Sequence, residues 1–229
     1  MKKQAKLNMK NLAGNSYPGR GIILGRSDVG QLIQVYWVMG RSPNSRNRIL
    51  VLEKNIIKTT PFGPTKVEDP SLIIYNAMKK FGDYHVVSNG TQTDTVKKDI
   101  VLSLGKTFHE PDDPNFTPRI TGLTNQKTGE MVLSKISQNP ADHKKSIRSY
   151  YFYQNIKPGF GFCLHTYSGD GNPLPTFDKD PYLVSLTGNI NKIAKTYWKL
   201  LNKENRVALV VKGIGKGKKD SFVIINALS

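Results

Sequence analysis

The sequence predicts an α+β fold in which mostly antiparallel strands form sheets and a few helices pack in layers on the sheet faces. Candidate strands follow one another along the chain and are joined by short turns, which is typical of antiparallel pairing. Few helices intervene, and an amphipathic helix must bury its apolar side against a sheet or another helix. Because the 229 residues contain no internal repeat and no low-complexity linker, we expect one domain over residues 17–229.

The strand predictions rest on short runs that are rich in β-branched and aromatic residues and are bounded by turn residues. The clearest is a hairpin around a turn at residues 27–30. Three loops rich in Pro, Gly or Asp interrupt the pattern, at residues 61–70, 111–115 and 169–181. The predicted strands are residues 21–25, 32–39, 49–53, 56–59, 85–88, 119–123, 131–136, 149–154, 160–167, 207–211 and 222–225.

Three segments carry helical signals. The strongest is residues 190–201, where apolar residues recur at 3.6 spacing and Thr187 is a candidate N-cap. Start signals favour a helix over residues 71–81, and apolar positions about one turn apart favour another over residues 91–104. Residues 1–16 are polar and lysine-rich, and we expect a flexible basic arm there.

The charge balance indicates an anionic partner. There are 34 Lys and Arg against 17 Asp and Glu, a net charge of +17, and such a field attracts anions and speeds their arrival. Phosphate-bearing small molecules and nucleic acids are the two partner classes that fit. The apolar runs are too short to cross a bilayer, so we expect no membrane partner. Cys163 is the only cysteine and no Cys or His spacing fits a metal, so we expect a cytoplasmic protein without a structural metal.

Arg41, Arg46 and Arg48 lie within eight residues at the end of a predicted strand. Arginine binds phosphate through two parallel hydrogen bonds, so the cluster is suited to a nucleotide 5′-phosphate. The alternative is a solvated basic face, which is the commoner role of an isolated cluster. The interleaved Ser and Asn residues add neutral donors and make the two interpretations equally good.

A second polar segment ends another predicted strand. Asn89, Thr91, Thr93 and Asp94 offer amide, hydroxyl and carboxylate groups within six residues. If they open a helix, its free backbone N–H groups would add to an anion site. The alternative is a capped turn without a ligand.

Glu110, Asp112 and Asp113 form an acidic island in a basic protein. Nearby carboxylates repel one another, which raises one or more pKa values towards neutrality and suits proton transfer. Arg119 is placed to orient one of them, and Tyr75 near several arginines is a candidate acid or base. The acids could instead pair with surface lysines or bind a metal, although the pattern of a calcium loop is lacking. Tyr75 could instead be a plain core residue.

Several short motifs follow one another in a fixed order along residues 17–185. They are Tyr17-Pro18-Gly19-Arg20, Tyr36-Trp37, Arg41-Ser42 with the Asn and Arg residues after it, Tyr75-Asn76, Asn89-Gly90-Thr91-x-Thr93-Asp94, Thr117-Pro118-Arg119-Ile120, and residues 165–175. In this order they resemble the archaeal-type IMP cyclohydrolases, and the bacterial branch most of all. The archaeal proteins have a compact Arg-Ser-x-Pro-Asn-Arg, whereas Ser45-Arg46-Asn47-Arg48 stands here, so either Arg46 or Arg48 corresponds to the second arginine.

The resemblance implies an αββα sandwich of two stacked antiparallel sheets, similar to N-terminal-nucleophile hydrolases, with no cofactor and a homo-oligomeric assembly. The implied activity is the last ring closure of the purine, in which the nucleotide FAICAR loses water and becomes IMP. For this reaction we expect the substrate to be bound by Arg20, Arg41, Arg46, Arg48, Asn76, Asn89, Thr91, Thr93 and Asp94, with the 5′-phosphate on Arg41 and on Arg46 or Arg48. For proton transfer we expect Tyr75 and an acid of the loop that holds Glu110 and Asp113, with Arg119 as the electrostatic partner.

Two rival functions stay open. A nucleic-acid-binding protein is expected to show a continuous basic stripe with stacking aromatic residues. Because the lysines are instead spread in twos along the chain, we expect no nucleic-acid partner. An amide hydrolase of the same fold would need a reactive N-terminal nucleophile, whereas this chain starts Met1-Lys2-Lys3.

Overall fold

The strands of the protein form two sheets. The computed structural model describes residues 1–63, 73–215, 217 and 219–228. The strands in these residues are β1 (Gly21–Arg26), β2 (Leu32–Met39), β3 (Arg48–Glu53), β4 (Ile56–Pro61), β5 (Tyr75–Phe81), β6 (Tyr84–Ser88), β7 (Arg119–Asn125), β8 (Met131–Asn139), β9 (Asp142–Tyr153), β10 (Phe160–His165), β11 (Tyr182–Ser185), β12 (Arg206–Gly213) and β13 (Ser221–Asn226). The helices there are α1 (Lys2–Gly14), α2 (Pro43–Arg46), α3 (Ile100–Leu104) and α4 (Ile190–Leu200), with a 3₁₀ helix at Thr91–Asp94.

Both sheets are antiparallel throughout. The first has the strand order β11-β10-β1-β2-β12-β13, and the second is a meander in the order β3-β4-β5-β6-β7-β8-β9. All neighbouring pairs run antiparallel. The predicted fold class is confirmed, and each predicted strand overlaps an observed one, while β5 and β11 were not predicted as strands.

Alternation along the strands sorts apolar side chains into layers. In β1 and β2, Ile22, Leu24 and Tyr36 pack into the core between the two sheets. Ile23 and Trp37, which point the other way, pack into a second core with side chains of α1 and α4. A third, smaller core covers the outer face of the second sheet and includes side chains of α3. The result is a layered sandwich of helix, sheet, sheet and helix.

Helix α4 forms where its amphipathic pattern predicted it, but a different residue caps it. The Asn189 side chain accepts a hydrogen bond from the backbone N–H of Lys192 at 3.0 Å. The predicted cap, Thr187, instead pairs its hydroxyl with that of Ser185 at 2.7 Å. The buried Tyr197 packs against the first sheet, and burying a large apolar side chain stabilises the fold by about 1.5–3 kcal/mol.

The prediction of a flexible arm over residues 1–16 was wrong, because helix α1 occupies most of this segment. Ala5 and Leu12 are buried. The side chain of Asn8 donates a hydrogen bond to the backbone oxygen of Leu183 at 2.8 Å, which ties the helix to β11. The segment is therefore part of the helical layer over the first sheet.

Two other helix predictions were also wrong, the first in the type of element and the second in its extent. Residues 75–81 form β5, and residues 91–104 hold a 3₁₀ helix and the short α3 rather than one long helix. Asp99 starts α3 by accepting a hydrogen bond from Leu102 N at 3.0 Å. The predicted loop at residues 61–70 and the start of the predicted helix lie mostly in residues 64–72, outside the described residues.

None of the helices in the described part of the chain combines the length and the apolar character needed to cross a membrane.

Candidate active site

One end of the sandwich carries a cavity of about 610 Å³. Strand β1 begins at this end, β2 ends there, and the segment that leads into β7 borders it. Such strand ends, held by a rigid sheet, commonly present polar groups to a ligand. Among the lining residues are Arg20, Arg41, Arg48, Glu110, Thr117 and Tyr167.

A tight turn before β1 places Arg20 in the cavity wall. Gly19 has a φ of +70°, which only glycine adopts without strain, and a Cβ there would lie 2.2 Å from Thr166 Oγ1. The same hydroxyl of Thr166 accepts a hydrogen bond from the backbone N–H of Arg20 at 3.1 Å. Glycine is therefore required where the chain passes this close to Thr166.

Arg20, Glu110 and Arg119 form a charged cluster beside the cavity. Glu110 Oε1 lies 3.9 Å from Arg20 Nη1 and 3.6 Å from Arg119 Nη1, and the Glu110 side chain is only 4% exposed. Burial opposes the charge on Arg20, but the carboxylate of Glu110 and nearby tyrosines outweigh it and raise the pKa of Arg20 above its ordinary value. A negative charge in the cavity would therefore face a guanidinium that stays protonated.

Two tyrosine hydroxyls meet between the sheets next to this cluster. Tyr36 on β2 and Tyr75 on β5 are both buried, and their hydroxyl oxygens lie 2.6 Å apart. Burial, followed by the proximity of Tyr75, raises the pKa of Tyr36 well above its ordinary value. Tyr75 is close enough to Arg20 and Arg48 to affect their pKa values, so the predicted catalytic tyrosine lies next to two arginines of the cavity wall without lining the cavity itself.

The three clustered arginines have different surroundings. Arg48 is buried in the cavity wall, where its Nε donates to Ser45 O at 2.7 Å and its Nη2 to Met39 O at 3.1 Å. Burial lowers the pKa of Arg48. Arg41 lies at the more exposed side of the cavity, with Nη1 2.5 Å from Asp170 Oδ1.

Arg46 directs its guanidinium elsewhere. Its Nε donates to Gly40 O at 3.1 Å, and its Nη2 donates to Asn205 Oδ1 at 3.3 Å. Of the two candidates for the second arginine of the motif, it is therefore Arg48 that faces the cavity.

The turn at residues 89–94 packs against Arg119 of the charged cluster. Asn89 is buried, and its side chain accepts from Ile120 N at 2.8 Å and donates to Pro118 O at 2.9 Å. A Cβ on Gly90 would lie 2.6 Å from Arg119 Nη1, so the backbone passes directly against that guanidinium. Gln92 Oε1 accepts a hydrogen bond from Arg119 Nη1 at 3.0 Å. These contacts hold Arg119 towards Glu110.

The other residues of this turn differ in exposure. Thr93 is buried, and its hydroxyl hydrogen-bonds to that of Ser88, whereas Thr91 is exposed. Asp94 is also exposed and accepts hydrogen bonds from Asn76 at 3.0 Å and from Lys79 at 2.9 Å. Asn76 and Asp94 thus pair with each other, while their predicted role in substrate binding stays a prediction.

The acids of the predicted island are separated in the structure. Glu110 joins the arginine cluster, Asp112 lines the cavity and Asp113 is exposed. Asp112 accepts hydrogen bonds from the backbone N–H of Thr117 at 2.6 Å and from the Thr117 hydroxyl. Among the described residues, no group of three or more His, Cys, Asp or Glu side chains is arranged to hold a metal ion.

Sequence reasoning did not assign a role to three tyrosines of this region, namely Tyr17, Tyr36 and Tyr167. Tyr17 and Tyr167 line the cavity with stacked rings whose centroids are 5.9 Å apart. The Tyr167 hydroxyl hydrogen-bonds to that of Thr117. The only local signal for Tyr17 was its position three residues before Arg20, and buried tyrosines on strands are more often plain core.

The family described as IMP cyclohydrolase-like protein matches residues 17–218 of this chain. The chain belongs to this family. Each cavity-lining residue named above falls within the range matched by the IMP cyclohydrolase-like family. The resemblance seen in the sequence motifs is thereby confirmed.

Individual relatives in this family are moderately similar. An IMP cyclohydrolase of Methanococcus maripaludis (strain C7) is 31% identical over 150 residues, which are 59% of this chain and 72% of the relative. An IMP cyclohydrolase of Methanosphaera stadtmanae is 30% identical over 161 residues, 66% of this chain and 73% of the relative. A third, from Methanococcus aeolicus, is 29% identical over 161 residues.

Proposed function

We propose that this protein is an IMP cyclohydrolase, which closes the six-membered ring of the purine by converting FAICAR to IMP with loss of water. The observation that carries the proposal is that the family match spans the residues of a cavity with guanidinium groups on its walls. Guanidinium groups of this kind bind the phosphate of a nucleoside monophosphate through charge-assisted hydrogen bonds. Ring closure also needs a positive group near the oxygen on which negative charge develops.

The two reacting groups of FAICAR lie side by side on the imidazole. The carboxamide nitrogen attacks the formyl carbon, so the enzyme need only select the reactive rotamer and move protons. We assign the 5′-phosphate to Arg41 and Arg48, which both line the cavity. The permanently charged Arg20 is suited to stabilise the formyl oxygen as its bond to carbon becomes single.

For proton transfer we assign Tyr75 and Glu110, with Arg119 as electrostatic partner of Glu110. Each proton-transfer group typically contributes about 10²–10⁴-fold to the rate. The 3.6 Å separation of Glu110 and Arg119 supports this pairing. Asp113, the other predicted catalytic acid, is exposed, so the separation of the acids supports Glu110 over Asp113.

The direct test is conversion of FAICAR to IMP by the purified wild-type chain without added cofactor, followed by absorbance and by chromatography of the products. We expect IMP as the sole product. An amide hydrolase would instead release formate and leave the deformylated amine. Release of formate, or no IMP at all, would overturn the proposed function. Retention on single-stranded DNA that weakens with salt would favour the nucleic-acid-binding alternative.

We also propose a cytoplasmic location and a homo-oligomeric assembly, in keeping with a biosynthetic enzyme of this family. Light scattering coupled to size-exclusion chromatography tests the assembly. A monomer mass of 25.6 kDa at micromolar concentration would contradict it.

A further inference from the structure

A series of hydrogen-bonded hydroxyl groups runs along the cavity wall and ends at Asp112. The Thr117 hydroxyl contacts both the Asp112 carboxylate and the Tyr167 hydroxyl. All three residues line the cavity, and Thr117 and Tyr167 are buried. The hydrogen bond between Thr117 and Tyr167 joins two segments that are fifty residues apart in sequence.

The direction in which these hydrogen bonds are donated follows from the number of available protons. A threonine hydroxyl has one proton, and the Asp112 carboxylate can only accept it. Tyr167 must therefore donate its own proton to Thr117. Once it does, the Tyr167 oxygen has only lone pairs left for the cavity, so it acts there as a hydrogen-bond acceptor.

We propose that Tyr167, Thr117 and Asp112 form a proton relay that takes the proton from the carboxamide nitrogen of the substrate. This proposal rests on the proposed cyclohydrolase function. Tyr167 lines the cavity and would contact the bound substrate, so it is the catalytic residue of the relay. Thr117 and Asp112 are positioning residues that act through it.

The relay balances the protons of the reaction. As the C–N bond forms, the nitrogen proton moves to Tyr167, the Tyr167 proton to Thr117 and the Thr117 proton to Asp112, while the formyl C=O becomes an alkoxide. The stored proton then returns along the same path and converts the alkoxide to a hydroxyl. The second proton leaves the formamide nitrogen as the new C=N bond forms. Tyr75 and Glu110, the groups assigned above, carry it to the hydroxyl, which leaves as water.

The surroundings of the relay fix its geometry. Tyr167 stacks on Tyr17, and its backbone oxygen accepts a hydrogen bond from the side chain of Asn15 at 3.1 Å. The second oxygen of Asp112 is held by the backbone N–H of Thr117 at 2.6 Å. Burial raises the pKa of Tyr167 to about 12, so its hydroxyl is neutral at physiological pH and has a proton to pass on.

The test compares Thr117→Val, which removes the hydroxyl at nearly constant shape, with Thr117→Ser, which keeps it. We expect Thr117→Val to lower kcat about 100-fold with KM within twofold, and Thr117→Ser to stay near wild type. Asp112→Asn and Tyr167→Phe should cause similar losses. Because the three groups act as one unit, the double variant Thr117→Val/Asp112→Asn should be no worse than either single variant.

Tyr197→Phe is the matched control, because it removes a tyrosine hydroxyl that donates to Ser185 O at 2.7 Å on the far side of the first sheet. Calorimetric binding of IMP verifies that each variant is folded. If Thr117→Val does not fold, Tyr167→Phe, which keeps the stacked ring, takes its place. Unchanged kcat in a variant that binds IMP, or equal losses in Thr117→Ser and Thr117→Val, would overturn the relay while wild-type turnover leaves the cyclohydrolase function intact. A wild type that makes no IMP would overturn both.

Discussion

At the scale of single residues, the Tyr75 hydroxyl lies between the Tyr36 hydroxyl and the charged cluster of Arg20, Glu110 and Arg119. Its hydrogen bond to Tyr36 and its proximity to Arg20 support a role in proton transfer. We expect Tyr75→Phe to lower kcat about 100-fold with little change in KM. Steady-state kinetics with FAICAR measure this, and Tyr84→Phe on the outer face of the second sheet is the control. Full turnover by Tyr75→Phe would remove Tyr75 from the mechanism.

The different surroundings of Arg46 and Arg48 lead to a second prediction. Because Arg48 faces the cavity and Arg46 bonds to Gly40 and Asn205, Arg48→Ala should raise KM for FAICAR at least tenfold, about 1.4 kcal/mol of binding free energy. Arg46→Ala should change KM less than about twofold. Since Arg48 also holds backbone carbonyls, thermal unfolding of both variants must accompany the kinetics. The reverse order of KM effects would assign the phosphate contact to Arg46.

His165 makes stability depend on pH. Burial lowers its pKa to about 3, and the ring packs on Phe177 at a centroid distance of 4.0 Å. An unfolded chain binds a proton near pH 6.5, so the stability from neutral His165 is complete above that pH and is lost as the pH falls towards 3. Between pH 6.5 and about pH 4.5 the free energy of unfolding should fall by roughly 2–3 kcal/mol on account of this residue.

Urea unfolding at these two pH values tests the effect. His165→Phe should flatten the dependence, whereas His143→Gln at an exposed position should leave it as in wild type. His85, whose pKa burial lowers to about 4, would maintain part of the slope in both variants. Identical slopes in His165→Phe and wild type would contradict the prediction.

Many individual residues of the site could be predicted from the sequence. Which of them contact one another could not. Arg20, Arg48, Glu110 and Arg119 stand in polar turns at strand ends, where their residue types already indicate chemistry. Tyr167 acquires a role only through its bond to Thr117, and no local pattern signals a contact between segments fifty residues apart.

At the scale of secondary-structure elements, α1 shows how a polar segment can still be structural. Its buried Ala5 and Leu12, with the partly buried Met9 between them, follow helical spacing, but the lysines around them hide this narrow stripe. We expect Leu12→Ala to lower the free energy of unfolding by about 3 kcal/mol through loss of burial and a cavity.

Leu7→Ala on the same helix is the matched control, because Leu7 is 51% exposed. Denaturant unfolding at constant m-value should separate the two variants clearly. Equal stability of both would mean that α1 contributes no packing to the first sheet.

Element types elsewhere depended on tertiary context. Residues 75–81 follow helix start signals, yet Tyr75 and Ala77 face the inter-sheet core while Asn76 faces away, which is strand alternation. The pairing partners β4 and β6 decide this conflict, and they are not visible in the local pattern. The antiparallel meander itself was predictable because its strands are consecutive in sequence.

At the scale of the whole molecule, the net charge of +17 greatly exceeds what one phosphate needs. If the field guides the anionic substrate to the cavity, its effect must weaken as salt shortens the screening length from about 10 Å at 0.1 M to about 3 Å at 1 M. We expect kcat/KM for FAICAR to fall roughly tenfold over this range of NaCl, mostly through KM, while kcat at saturation stays constant. Circular dichroism at each salt concentration shows that the fold is unchanged.

Arg41→Ala, which removes a single contact, is the control. It should shift KM at every salt concentration without abolishing the dependence of kcat/KM on salt, because that dependence arises from the summed field. A kcat/KM that is independent of NaCl would mean that the excess charge has no part in substrate capture.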